Sequence, residues 1–144
     1  MAMTLTDVPL VQSLDDIGIE DVGHSGSKAA TLGELKRAGF RVPQGLVVTT
    51  GAMAQAFASA GLEAAARSED VEAMTLPADL VAALAAALVR LGDGPFAVRS
   101  SGVDEDLSGA SYAGQYETVL NVAAADVPAA VRRCWASAFS RRVE

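Results

Sequence analysis

Three short segments of this sequence carry residue types able to do chemistry. Gly23-His24-Ser25-Gly26-Ser27-Lys28 places small residues and a lysine at the start of a helical pattern. Backbone N–H groups of such a turn and the positive end of the helix dipole both favour an anion, and the lysine adds a full charge. The same string also fits an ordinary capped helix with an exposed lysine, and it lacks the Lys-Ser/Thr ending of a Walker loop. Ala97-Val98-Arg99-Ser100-Ser101 sets an arginine in an apolar strand, where a buried, unpaired guanidinium is not tolerated. Arg99 therefore needs either an internal carboxylate, with Asp104, Glu105 and Asp106 close in sequence, or an anionic ligand. The third segment, Ser108-Gly109-Ala110-Ser111-Tyr112-Ala113-Gly114-Gln115, lets backbone approach a ligand closely and leaves amide donors for phosphate oxygens. The connection it belongs to, Ser101–Gly114, is longer than hairpin loops usually run, which favours a lid over a plain connector.

The elements that must position these residues follow from periodicity and punctuation. Leu10–Leu14 reads as a first strand closed by Asp15 and Asp16. Ala29, Leu32, Leu35 and Lys36 recur at helical spacing, and Gly39 supplies the stop. Leu46-Val47-Val48-Thr49 is a β-branched strand after the turn at Pro43, and Thr50 is the expected N-cap of a helix over 51–60 that Gly61 ends. Leu62–Thr75 has no clear period. Pro77 opens a helix over Ala78–Leu91, with Leu80, Leu84, Leu88 and Leu91 on one side. Phe96–Ser100 and Glu117–Val122 read as strands, and Asp126 precedes a last helix over Val127–Arg142. The predicted class is α+β, a mixed sheet with helices packed against it.

Composition agrees with one globular domain over residues 1–144, at 51% hydrophobic, 5% aromatic and 20% charged. Eleven Lys+Arg against eighteen Asp+Glu leave a net charge of −7, which excludes a general nucleic-acid binder. It leaves room for a local cationic pocket. A single cysteine, Cys134, rules out an intramolecular disulfide or a cysteine-based zinc site and reads as a core residue. The N-terminus lacks the pattern of a signal peptide, and the most apolar window, Leu80–Leu91, is about half of a membrane span. The expectation is a soluble, cytoplasmic protein with no membrane segment. The last residues, Phe139–Glu144, stay in helical phase without a stop signal, so the domain is expected to be cut at its C-terminus.

Four blocks, in order, resemble one family. They are Gly26-Ser27-Lys28-Ala29-Ala30-Thr31-Leu32-Gly33-Glu34-Leu35, Val42–Thr50, Phe96–Val122, and Arg133-Cys134-Trp135-Ala136-Ser137-Ala138-Phe139. The chain is similar to the start of the ATP-binding domain shared by phosphoenolpyruvate synthase, pyruvate phosphate dikinase and rifampin phosphotransferase. Two departures stand out: Ser27 replaces the second glycine that usually precedes the lysine, and the stretch between Thr50 and Phe96 is shorter than is common.

The resemblance implies an ATP-grasp fold of which these residues form the first subdomain, with nucleotide held between two subdomains. It implies that Lys28 and Arg99 contact ATP phosphates, and that the loop bearing Ser111, Ala113 and Gly114 closes over them, with Thr118 beside it. It further implies transfer of a phosphate of ATP to a histidine on a separate swivelling domain, with release of AMP and inorganic phosphate. The phosphohistidine then serves pyruvate or, as the alternative, an antibiotic. The adenine-contacting segment, the Mg2+ ligands and the acceptor histidine are expected outside this chain. His24 is not that histidine, and no catalytic or metal residue is assigned here. A different class of reading, a non-catalytic nucleotide-binding or interaction module, applies if 144 residues is the whole protein. If the second subdomain is absent, weak two-fold self-association is expected through a C-terminal helix bearing Val131, Trp135 and Phe139, or through the cleft wall.

Overall fold

The structure, a computed structural model, describes residues 9–62, 68–100 and 118–143. Its strands are β1 (Val11–Ser13), β2 (Leu46–Val48), β3 (Phe96–Arg99) and β4 (Thr118–Val122). Its helices are α1 (Val22–Ser25), α2 (Ser27–Arg37), α3 (Thr50–Ala60), α4 (Ser68–Ala73), α5 (Ala78–Leu91) and α6 (Val127–Val143). Short 3-10 turns cover Leu14–Asp16, Ile19–Asp21 and Ala124–Asp126. The α+β class holds. The single mixed sheet does not: among the described residues the strands form two separate antiparallel pairs, β1 with β2 and β3 with β4.

The first pair is a central layer. Val11, Leu46 and Val48 pack on one side with Leu84, Leu88, Val122 and Val131, so α5, α6 and the second strand pair share one core there. Val47, pointing the other way as strand alternation requires, packs with Leu14, Ile17 and Ala29 of the α2 side. Helix α5 carries this arrangement, because its leucine spacing puts Leu80, Leu84 and Leu88 on one buried face. Each such leucine contributes roughly 1.5–3 kcal/mol by leaving water.

Several boundaries correct the sequence expectation. Thr49, not Thr50, caps α3: its hydroxyl accepts from the Ala52 N–H at 3.3 Å, and Thr50 is the first helical residue. The unpatterned stretch before Pro77 contains α4, which buries Val71 and lies along α6. Gly39 and Gly61 end α2 and α3 at positive φ, as expected.

The second strand pair holds an irregularity that the sequence reading missed. Phe96 pairs with Val122 and Val98 with Val119, so Leu120 and Asn121 together oppose Ala97. Asn121 adopts φ 57, the left-handed conformation that asparagine tolerates better than most side chains. This bulge shifts the alternation by one residue, so that Val119 and Val122 both turn toward the core while Leu120 is left exposed.

Helix α6 is satisfied within the chain. Val131 is buried, and Trp135 is partly buried and meets Phe57 edge-on at 6.1 Å between ring centroids. The apolar face expected to drive self-association is thus covered, as far as Val131 and Trp135 define it; the side chain of Phe139 lies outside the described residues. Cys134 is a core residue, with its thiol donating to the Val98 carbonyl at 3.5 Å.

Candidate functional site

The Gly/Ser turn before Lys28 is built from a helix broken in two. The one-turn helix α1 ends at Gly26, whose φ of 84 and ψ of 160 are essentially reserved for glycine, and α2 starts at the next residue. Gly26, the N-cap of α2, offers no side chain to cap it. Lys28, partly buried, is the second residue of that helix. Ser27 occupies the helix start without distorting it, so the departure from two glycines leaves the turn intact.

The segment before the turn is fixed to α2 by polar contacts. Glu34 Oε1 accepts from the Ile19 N–H at 3.1 Å, and Arg37 Nη1 meets Glu20 Oε1 at 3.0 Å. A backbone hydrogen bond and the Arg37 guanidinium hold the Glu20 carboxyl below its ordinary value, and the same pair raises Arg37. Gly33 lets α2 approach this segment, since a Cβ there would collide with the Ile17 carbonyl. His24 is a half-buried residue of α1, with Nε2 at 3.1 Å from Asp21 Oδ1.

Arg99 is the last residue of β3 and is exposed, facing away from the core side of Val98. The burial argument for a partner therefore fails: its guanidinium stays in water because the pleat turns it outward. Its register partner is Thr118, also exposed, so the structure brings these two candidate residues together across one ladder. Among the described residues neither Lys28 nor Arg99 has a carboxylate partner, whereas Lys36 and Arg37 both do.

Lys28 and Arg99 belong to different packing units. Helix α2 rests on the 3-10 turns and α1, β3 rests on β4 and α6, and the β1–β2 layer with α5 joins them. Ser111, Ala113 and Gly114, with Asp104, Glu105 and Asp106, lie outside the described residues. A hollow of about 430 Å3 lies between the end of α3 and α4, lined by Ser59, Asp70, Met74 and Thr75, and no candidate residue borders it. Among the described residues no three His, Cys, Asp or Glu side chains gather into a metal site. No helix among them is long and apolar enough to cross a membrane.

Residues 22–143 match the family described as the pyruvate phosphate dikinase AMP/ATP-binding domain. The chain belongs to this family. The dikinase-domain match takes in α1, Lys28, Arg99 and Thr118, and runs through α6. A rifampicin phosphotransferase of a Streptomyces species is 40% identical over 92% of this chain and 18% of its own length. A probable phosphoenolpyruvate synthase of Methanothermobacter thermautotrophicus is 36% identical over 94% of this chain and 24% of its own. The phosphoenolpyruvate synthase of Pseudomonas aeruginosa is 35% identical over 94% and 21%. The chain thus spans about a fifth of the length of the curated relatives it matches. The matched stretches run to 157 and 163 positions, more than the 144 residues of this dikinase-family chain, so the relatives carry residues that it lacks.

Proposed function

We propose that this chain supplies one wall of the ATP site of a dikinase-type phosphotransferase, as the first subdomain of an ATP-grasp fold. The observation that carries this reading is the family match over residues 22–143, which contains both Lys28 and Arg99. Lys28 binds phosphate oxygens from one side, and Arg99 binds them from the β3–β4 side with Thr118 beside it. Ser111, Ala113 and Gly114 donate backbone N–H groups from the intervening loop. Converging cations and amides hold phosphate charge in place and stabilise what develops as a phosphoryl group departs.

In the reaction a phosphate of ATP passes to a histidine on a swivelling domain, water takes the terminal phosphoryl group as inorganic phosphate, AMP leaves, and the phosphohistidine phosphorylates pyruvate. Mg2+, which neutralises phosphate charge when bound, is held by carboxylates outside these residues. A second reading, phosphorylation of a rifampin-type antibiotic, is favoured by the resemblance to the Streptomyces enzyme. Both use the same ATP wall, because the acceptor is chosen by other parts of the protein. AMP formation from ATP, with pyruvate and with rifampin as acceptors, tests the reading. The expected result is acceptor-dependent AMP, lost in Arg99→Ala. Residues 1–144 alone are expected to form none, since half of a two-walled site admits water and lacks the adenine slot.

A further inference from the structure

Leu120 is 66% exposed in the middle of β4. An exposed leucine alone needs no explanation, because much of any folded surface is apolar. The neighbours of this one give it a meaning. Val119 packs into the core beside Val98, so strand alternation turns Thr118 and Leu120 to the opposite side, where Arg99 also lies. Ala97, Arg99, Thr118 and Leu120 are all exposed, and together they make the outward face of the β3–β4 pair.

That face has two ends of different chemistry. At one end Arg99 stands opposite Thr118, a cation beside a hydroxyl. Leu120 follows two residues further along β4, at a distance of about 7 Å. Across from it the bulge sets Ala97, whose single methyl group leaves the leucine uncovered by the neighbouring strand. An apolar shelf therefore adjoins a polar, cationic pair on one continuous surface. A ligand that is anionic at one end and flat and apolar at the other matches both ends at once, and a nucleotide is such a ligand. The few polar groups fix its orientation, and the apolar surface supplies contact area.

We propose that Leu120 is a nucleoside contact of the ATP site, with the phosphates at Arg99 and Thr118 and the adenosine lying along β4 over Leu120. This rests on the functional reading above and deepens it, since the wall that this chain contributes then holds the nucleoside as well as the phosphates. Leu120 supplies one side of the adenine slot, and the other sides lie outside this chain. Covering the leucine with the nucleoside removes apolar surface of both from water, so the contact strengthens binding of ATP and of adenosine alike.

The test is equilibrium binding of ATP, adenosine and tripolyphosphate to the longer phosphotransferase of which this chain forms one wall, as wild type, Leu120→Ala, Leu120→Met and Arg99→Ala. Leu120→Ala is expected to weaken ATP and adenosine by the same factor, about five- to tenfold, and to leave tripolyphosphate unchanged. Leu120→Met, which keeps an apolar side chain of similar volume, binds all three like the wild type. Arg99→Ala gives the opposite pattern, with ATP and tripolyphosphate weakened and adenosine unchanged. If Leu120→Ala leaves ATP and adenosine binding as they were, whether or not the melting temperature falls, Leu120 packs against another part of the protein and the proposal is wrong. Equal losses for ATP and tripolyphosphate with adenosine unchanged would put Leu120 at the phosphates and also overturn it. If Arg99→Ala leaves ATP binding unchanged, the functional reading fails and the role of Leu120 fails with it.

Discussion

Arg99 and Thr118 are register partners across the β3–β4 ladder, both exposed on the face turned away from the core. Paired across a ladder, such side chains lie close enough to share one ligand oxygen or two neighbouring ones. Their effects on ATP binding should therefore be coupled. Arg99→Ala is expected to weaken ATP binding at least about tenfold, the loss of one charge-assisted contact, and Thr118→Ala by less. The double variant should lose less than the two single losses combined, with a coupling of about 1 kcal/mol. Additive losses in a double-mutant cycle would show that the two residues act on separate parts of the ligand.

Asn121 sets the phase of β4. Its left-handed backbone is what lets Val119 and Val122 both reach the core. Replacing it by glycine should change stability by a few tenths of a kcal/mol. Asn121→Val, which places a β-branched side chain in that conformation, should cost about 1–2 kcal/mol. Urea unfolding of the two variants separates these outcomes, and equal stability would mean that the bulge does not depend on this position.

The long α5 was legible because its leucines recur at helical spacing and Pro77 and Gly92 mark its ends. The site was legible only in pieces. Lys28 at a helix start follows from the small residues before it, whereas the exposure of Arg99 depends on which face of a short strand meets the core. That choice is made by the bulge and by pairing with Thr118, and neither has a local signal beyond an asparagine among β-branched residues. Thr49 and Thr50 are equally good caps by type, and the tertiary contacts of Thr49 with Pro9 and Leu10 decide between them. The separation of the strands into two pairs likewise has no signal in any local pattern.

Leu84 lies where α5 meets both strand pairs, and it is 1% exposed. Leu84→Ala is expected to destabilise the fold by about 2–5 kcal/mol through lost burial and the cavity left behind. Val89, on the outer face of the same helix and 81% exposed, should tolerate alanine within about 0.5 kcal/mol. Similar losses at both positions, measured by denaturant midpoint, would contradict the placement of the core.

Glu20 and Arg37 fix the segment before α1 to α2, and the pair makes stability depend on pH in one direction. The folded state holds the Glu20 carboxyl below 4.5, first by a backbone hydrogen bond and then by Arg37. A depressed carboxyl stabilises the fold above its unfolded value, and the contribution is lost as pH falls through the lower folded value. Arg37, raised, stays charged throughout. Glu20→Gln should therefore be slightly less stable than wild type at neutral pH, with the difference closing as pH falls through the lowered carboxyl value. A difference that grew on acidification would reverse the sign assigned to the pair.

The central claim is that Lys28 and Arg99 bind the phosphates of ATP from two sides. Calorimetric titration of the longer phosphotransferase that supplies the adenine slot, as wild type, Lys28→Ala and Arg99→Ala, with ATP and with adenosine tests it most directly. The account predicts that each substitution weakens ATP binding by about tenfold or more and leaves adenosine binding where it was. Equal ATP affinity in all three proteins, or equal losses for ATP and adenosine, would contradict it.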